Sequence, residues 1–240
     1  MGMGMITEVT AAQPMSGFLH LLQFGDSGLP VGGFSFSHGL ETAIDQRIVF
    51  DLNSLQDFIL TVMRQTATVD GIALLCAHRA AQRNDIEALT SIDRAVLDRK
   101  INEETRLMTV RMGRKLCELA SAVVGGDLCC GWLDRIKGSE TDGTHPVSMA
   151  IALSSLGIER QHAFAVQQYG VATSILGAAL RLMRVAFVDT QKILLDTMAV
   201  VAPTYDEVAD STIDEMASFA PMIDILAAMH VKAHVRMFMN

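Results

Sequence analysis

Positive charge is scarce in this chain of 240 residues: 19 lysines and arginines stand against 27 aspartates and glutamates, a formal charge of −8. Such a field repels phosphate backbones and anionic lipid, so neither nucleic acid nor a membrane surface is an expected partner. Cysteine is also sparse. Cys76, Cys117, Cys129 and Cys130 contain no CxxC pair and no regular framework. Adjacent cysteines rarely bridge each other, and reduced thiols in a cytoplasmic protein are expected. The opening MGMGMITEVT lacks the basic stretch and continuous apolar core of a secretory signal, and Gly2 lacks the Ser or Thr of a myristoylation site. No run alternates apolar and polar residues as a strand does, no repeat of fixed period occurs, and no composition break marks a second domain. Aromatics make up only 5% of the residues although hydrophobic ones make up 50%. Between Arg160 and Arg181 no charged residue occurs, yet Gln161, His162, Gln167, Gln168, Tyr169, Thr173 and Ser174 are too polar a load for a lipid span. That stretch is expected to be a buried helix.

What is present is helical periodicity. Leu55, Phe58, Ile59 and Val62 recur at i, i+3, i+4 and i+7, with Asn53 and Gln56 resembling a capping box at the start of their helix. Met108, Met112, Leu116 and Leu119 form a second stripe, read as core filler. Pro146 and Gly157 bracket a short buried helix, and a longer one is expected from about Glu159 to Met183. On that longer helix Gly170, Ser174 and Gly177 share a face, suited either to close helix–helix approach or to plain tolerance of glycine. Breaks are expected at the glycine-rich opening, at 137–146 and at 202–212. The fold expected is all-α: one single-domain helical bundle over residues 1–240, with residues 1–12 as a flexible N-terminus.

Residues 27–41, SGLPVGGFSFSHGLE, are where chemistry would be sought first. Gly28 and Gly33 have P-loop spacing, but Phe34 stands where the phosphate-binding lysine belongs and no strand precedes the loop. A nucleophile elbow needs GxSxG, whereas Gly33-Phe34-Ser35-Phe36-Ser37 ends on serine. Ser37 and His38 are neighbours in sequence, which does not make a relay. His38, Glu41 and Asp45 could share a helical face, and His230 with His234, spaced i, i+4, are weak candidate metal ligands. Two ligands do not make a metal site. What remains is a loop-to-helix motif whose Phe34, Phe36 and Leu40 suit either a shape-specific protein contact or this chain's own core.

Residues 29–41, LPVGGFSFSHGLE, resemble the LPVGxFSxSxGLE signature of the UreF family of urease accessory proteins. The likeness continues through DGIALLCAHRAA at 70–81, MGRKL at 112–116, HPVSMAIALSSLGI at 145–158, AALRLMRVAFVDTQKIL at 178–194 and the ending MHVKAHVRMFMN. It spans nearly the whole chain. The resemblance implies an all-helical homodimer without a catalytic site or resident cofactor. Such a protein joins a partner of the UreD or UreH kind, recruits the nickel-carrying GTPase UreG, and with them delivers nickel to apo-urease, the metal being at most transient on this chain. Pro30, Gly32, Phe34, Ser35, Ser37, Gly39 and Glu41 match the signature, Arg181 matches a basic position in the long-helix block, and His230, Arg236 and Phe238 match the tail. These are the expected partner-binding residues, and 229–240 the partner-binding tail. Val231, Lys232 and Ala233 depart from the family's usual tail. The alternative from the residues themselves is a helical metal-dependent enzyme using His230 and His234.

Overall fold

A computed structural model describes residues 15–26, 28–217, 220–230 and 237–238. These contain twelve α-helices and no strand, in agreement with the expected all-α class. Helix α1 (Met15–Gly25) leads into the glycine-rich segment, which forms only a 3-10 turn at Gly33–Ser35 before the short α2 (Leu40–Asp45). Helices α3 (Leu52–Thr66) and α4 (Ile72–Gln82) are joined without a break through a π turn at Ala67–Gly71. Then come α5 (Ile86–Asp98), α6 (Glu103–Val123), α7 (Gly126–Lys137) and α8 (His145–Ser155). The long α9 (Arg160–Leu182) is followed by α10 (Phe187–Met198), α11 (Val201–Val208) and α12 (Pro221–His230). Residues 1–12 and most of 229–240 lie outside the described residues.

Local chemistry accounts for most helix boundaries. The cap of α3 is Asp51 rather than Asn53. The Asp51 carboxylate accepts from the Ser54 amide at 2.8 Å while the Ser54 hydroxyl accepts from the Asp51 amide at 3.0 Å. Asn53 is already the second helical residue, so its side chain has no free first-turn position to cap. Asp85 and Asn102 cap α5 and α6 without the reciprocal bond, their side chains accepting from the Ala88 and Thr105 amides at 3.0 and 2.8 Å. Pro146 lies in the first turn of α8, and Gly157, at φ +70°, follows its end as expected. Residues 202–212 are not wholly a break, because α11 fills their first part. Its Pro203 falls in the first turn, where the missing amide has no helical acceptor to lose.

The core has two parts that share α9. The larger gathers α4 to α8 and the start of α9 around Trp132, Phe164, Leu74, Leu75, Leu89 and Ile151, all buried. The smaller lies between α2, α3, the second half of α9 and α10, around Leu40, Leu55, Ile59, Met63 and Ile175. Full burial of each such side chain contributes about 1.5–3 kcal/mol. The stripe of α3 expected to be core, Leu55, Phe58, Ile59 and Val62, is buried. Two spans are long and apolar enough to cross a membrane, Leu52–Gln82 and Arg160–Leu182, but 61% and 50% of their apolar windows are buried within the protein.

The larger part is closed by one carboxylate. Asp93 of α5, 1% exposed, accepts from the Thr141 hydroxyl and the Asp142 and Gly143 amides on one oxygen. Its other oxygen accepts from the amide and hydroxyl of Thr144 at 2.7 and 2.6 Å. A buried carboxylate costs several kcal/mol unless so satisfied, and here its demand organises the 141–144 loop. Helix α6 then approaches so closely that a Cβ on Gly113 would stand 2.1 Å from the Gly143 carbonyl oxygen. Loop and α8 start are thereby fixed, and His145 with them.

Candidate partner-binding site

A groove of about 390 Å³ runs between α1, the glycine-rich segment, the π turn, α6 and α9. Its apolar wall includes Met108 and Met112, so the methionine stripe faces the groove rather than a sealed core; Leu116 alone of that stripe is buried. Gly170, Ser174 and Gly177 form the opposite wall. Nothing stands within 4 Å of a Cβ placed on Gly170 or Gly177, so within this chain the small-residue face opens a groove instead of drawing a helix close. Close approach needs glycine elsewhere, at Gly113 and at Gly71, whose Cβ would meet the Phe164 ring at 2.7 Å.

At the deep end, the π turn directs the Asp70 carboxylate onto Lys100 at 2.5 Å, with only 12% and 14% of the two side chains exposed. A π turn inserts an extra residue per turn and often marks a functional position. His38 and His145 line the same end. Burial, with the Lys100 charge second, pushes the His38 imidazole from 6.5 down to about 4. Burial likewise brings His145 to about 4, Asp70 opposing and Lys100 adding to the shift. Both rings are therefore neutral at pH 7, and the ion pair beside them is internally compensated. No group of three or more His, Cys, Asp or Glu among the described residues could hold a metal ion. Asp70 and His145 open two of the family-like blocks, but no motif pairs either with the other or with Lys100; only the topology brings the three together.

The glycine-rich segment shapes the groove mouth. Gly32 and Gly39 adopt φ +86° and +83°, values that favour glycine, and His38 follows at +55°. Because α2 begins only at Leu40, His38 lies outside it and does not share a helical face with Glu41 and Asp45. Ser37 is fully buried, its hydroxyl accepting from the Glu41 amide at 3.5 Å, which makes it a helix-start contact and not a nucleophile. Pro30 is exposed and Ser35 half-buried. Phe36 and Leu40 enter the core, whereas Phe34 is 73% exposed. The anchors expected to act together thus divide between two roles.

Phe34 is not isolated. The Arg181 guanidinium lies 3.8 Å from its ring centroid, and donates from Nη2 to the Phe34 carbonyl at 3.2 Å and from Nε to the Gly177 carbonyl at 3.1 Å. On its other side the same guanidinium lies 4.1 Å from the ring of Phe238. Phe238 is 4% exposed and packs on this chain's own smaller core. Signature, long helix and tail therefore meet at Arg181. His230 ends α12, while its side chain, His234 and Arg236 lie outside the described residues.

The family model for UreF matches residues 49–198. The chain belongs to the UreF family. Among its relatives, the urease accessory protein UreF 2 of Brucella abortus (strain 2308) is 63% identical over 236 residues, covering 98% of this chain and 97% of that protein. UreF 1 of Brucella melitensis biotype 1 is 62% identical over 236 residues and covers 98% of both chains. The urease accessory protein UreF of Yersinia enterocolitica is 45% identical over 225 residues, or 94% of this chain and 99% of that protein. The match to these UreF relatives runs across groove, signature and the larger core alike.

Proposed function

We propose that this UreF-family chain acts in urease maturation as a scaffold without catalysis of its own. In this reading it works in the cytoplasm as a homodimer, bridges a UreD- or UreH-like partner and the nickel-carrying GTPase UreG, and couples GTP hydrolysis to nickel insertion into apo-urease. Nickel is cargo of the assembly. The observation that carries the reading is the exposed Phe34 ring, stacked on Arg181 at the rim of an apolar groove: aromatic side chains and arginine are both enriched at protein interfaces. Coupling requires that the scaffold contact two states of the GTPase differently, which a surface assembled from three separate chain segments can do.

The test is co-expression of this chain, intact or as Phe34→Ala, with the UreD-like partner, the GTPase and apo-urease. The intact chain is expected to co-purify with both accessory partners and to support nickel-dependent urease activation, while the variant loses co-purification. Equal urease activation in cells lacking the chain would overturn the reading, as would substrate turnover by the purified chain alone.

A further inference from the structure

Met237 and Phe238 rest on the signature by contacts of an unusual kind. The two carboxylate oxygens of Glu41 accept from two consecutive backbone amides, Met237 at 2.8 Å and Phe238 at 3.1 Å. Amide capture of this sort depends on the backbone and excludes only proline. The Met237 side chain, 62% exposed, is not read. The next residue is read closely: its ring is 4% exposed, seated in the cluster that includes Leu40 and Leu226, with Arg181 across its face. Arg181 is also held by groups other than the segment it receives, through the Gly177 and Phe34 carbonyls and the Phe34 ring. Preorganisation of this sort lowers the entropy lost when a segment docks.

We propose that Glu41, Arg181 and the pocket beneath Phe238 form a peptide-recognition seat for an extended segment of the pattern any residue then aromatic, filled in cis by Met237–Phe238 and open to exchange with a second peptide. The recognition elements are all side chains of the body of the protein, and what they hold is two amides and one ring. Tethering gives the chain's own segment a local concentration in the millimolar range, so a free peptide competes only when the cis segment is weakened. This inference does not depend on the urease assembly, and its test uses no other protein.

The probe is a fluorescein-labelled peptide with the sequence of residues 236–240, Arg-Met-Phe-Met-Asn. It is titrated against the full chain and against the full chain carrying Phe238→Ala, with anisotropy as the readout. Saturable binding to the variant is expected, at least about tenfold tighter than to the unaltered chain. That binding should disappear with a peptide whose phenylalanine is alanine, and weaken when Glu41→Gln is added to the variant. Circular dichroism and melting establish that the variant is folded. If it melts early, Phe238→Leu keeps apolar volume in the pocket while losing the ring face on Arg181, and the same tenfold difference is expected. Equal affinity for altered and unaltered chains, equal affinity for the alanine peptide, or no binding to a folded variant would each overturn the proposal and leave the contact a fixed anchor of the tail.

Discussion

The two parts of this molecule close their surfaces in opposite ways. Around Trp132 the larger part is closed except along its groove and at Ile101 and Val123: α4 to α8 bury most of their apolar faces on one another, and the Asp93 carboxylate satisfies the loop that enters α8. Its border is strapped by arginines. Arg79 and Arg160 donate to the Ala209 carbonyl, and Arg99 donates to those of Ile213 and Met216. The smaller part is left open. Phe34 at the groove mouth, Leu195 on α10, and Met222 and Ile225 on α12 all stand more than half exposed. Apolar side chains thus serve two ends: in the larger part most are spent on stability, while in the smaller several remain available for association.

The largest effect that could break this contrast is on Asp93. Asp93→Ala strands five donors, four of them buried, and should cost about 3–5 kcal/mol, lowering the melting temperature by roughly 10 °C. A change of only a degree or two in calorimetry would show that the larger part is not held by that carboxylate. Next comes Phe238→Ala in the open part. The ring is buried, but its tail can undock into water, so a loss of about 2–3 kcal/mol is expected, smaller than for a ring at the centre of a core. Urea unfolding measures it, and a loss as large as that of Asp93→Ala would erase the distinction.

Acid should act through the groove. His38 and His145 hold pKa values of about 4 when folded against 6.5 when unfolded, so the unfolded state binds more protons between those values. Their contribution is complete above pH 6.5 and is lost as pH falls toward 4, about 2 kcal/mol for each ring by pH 5. His78, whose burial lowers its pKa in the larger part, adds in the same direction. Denaturation curves at pH 7.5 and 5 test the sum, and His145→Gln should flatten the slope. The smallest effects are at the two open positions. Phe34→Ala should change stability by less than about 1 kcal/mol while weakening partner binding tenfold or more. Gly177→Ala should stabilise the isolated chain by up to about 1 kcal/mol, since a helical glycine with open space around it gains from a methyl group. Were the stripe of Gly170, Ser174 and Gly177 packed against a second copy, the same change would weaken self-association in analytical ultracentrifugation; unaltered dimerisation would place the interface elsewhere.

Much of the helical layout is legible in the sequence because it depends on near neighbours. The spacing of Leu55, Phe58, Ile59 and Val62, the Pro146 start and the Gly157 stop each fix a local choice of backbone that tertiary contacts had no reason to overturn. The signature was legible as well, and through it the family, although only the structure shows that Gly32 and Gly39 take left-handed turns. The cap of α3 was missed by two residues, because Asp51–Ser54 and Asn53–Gln56 offer similar polar side chains at the same spacing and only the backbone shows where the helix enters.

What tertiary structure alone decided is which distant groups meet. Asp70 finds Lys100 thirty positions away through a π turn that no residue pattern announces. Glu41 and Arg181 receive residues 237 and 238 from the far end of the chain. The physical reason is that periodicity reports which face of a helix is apolar, over distances of a few residues, whereas an ion pair, a cation over a ring or a glycine packed where no Cβ would fit depends on how helices are placed in space. Local sequence therefore determined the elements and the family, and packing determined the groove, its neutral histidines and the seat of the tail.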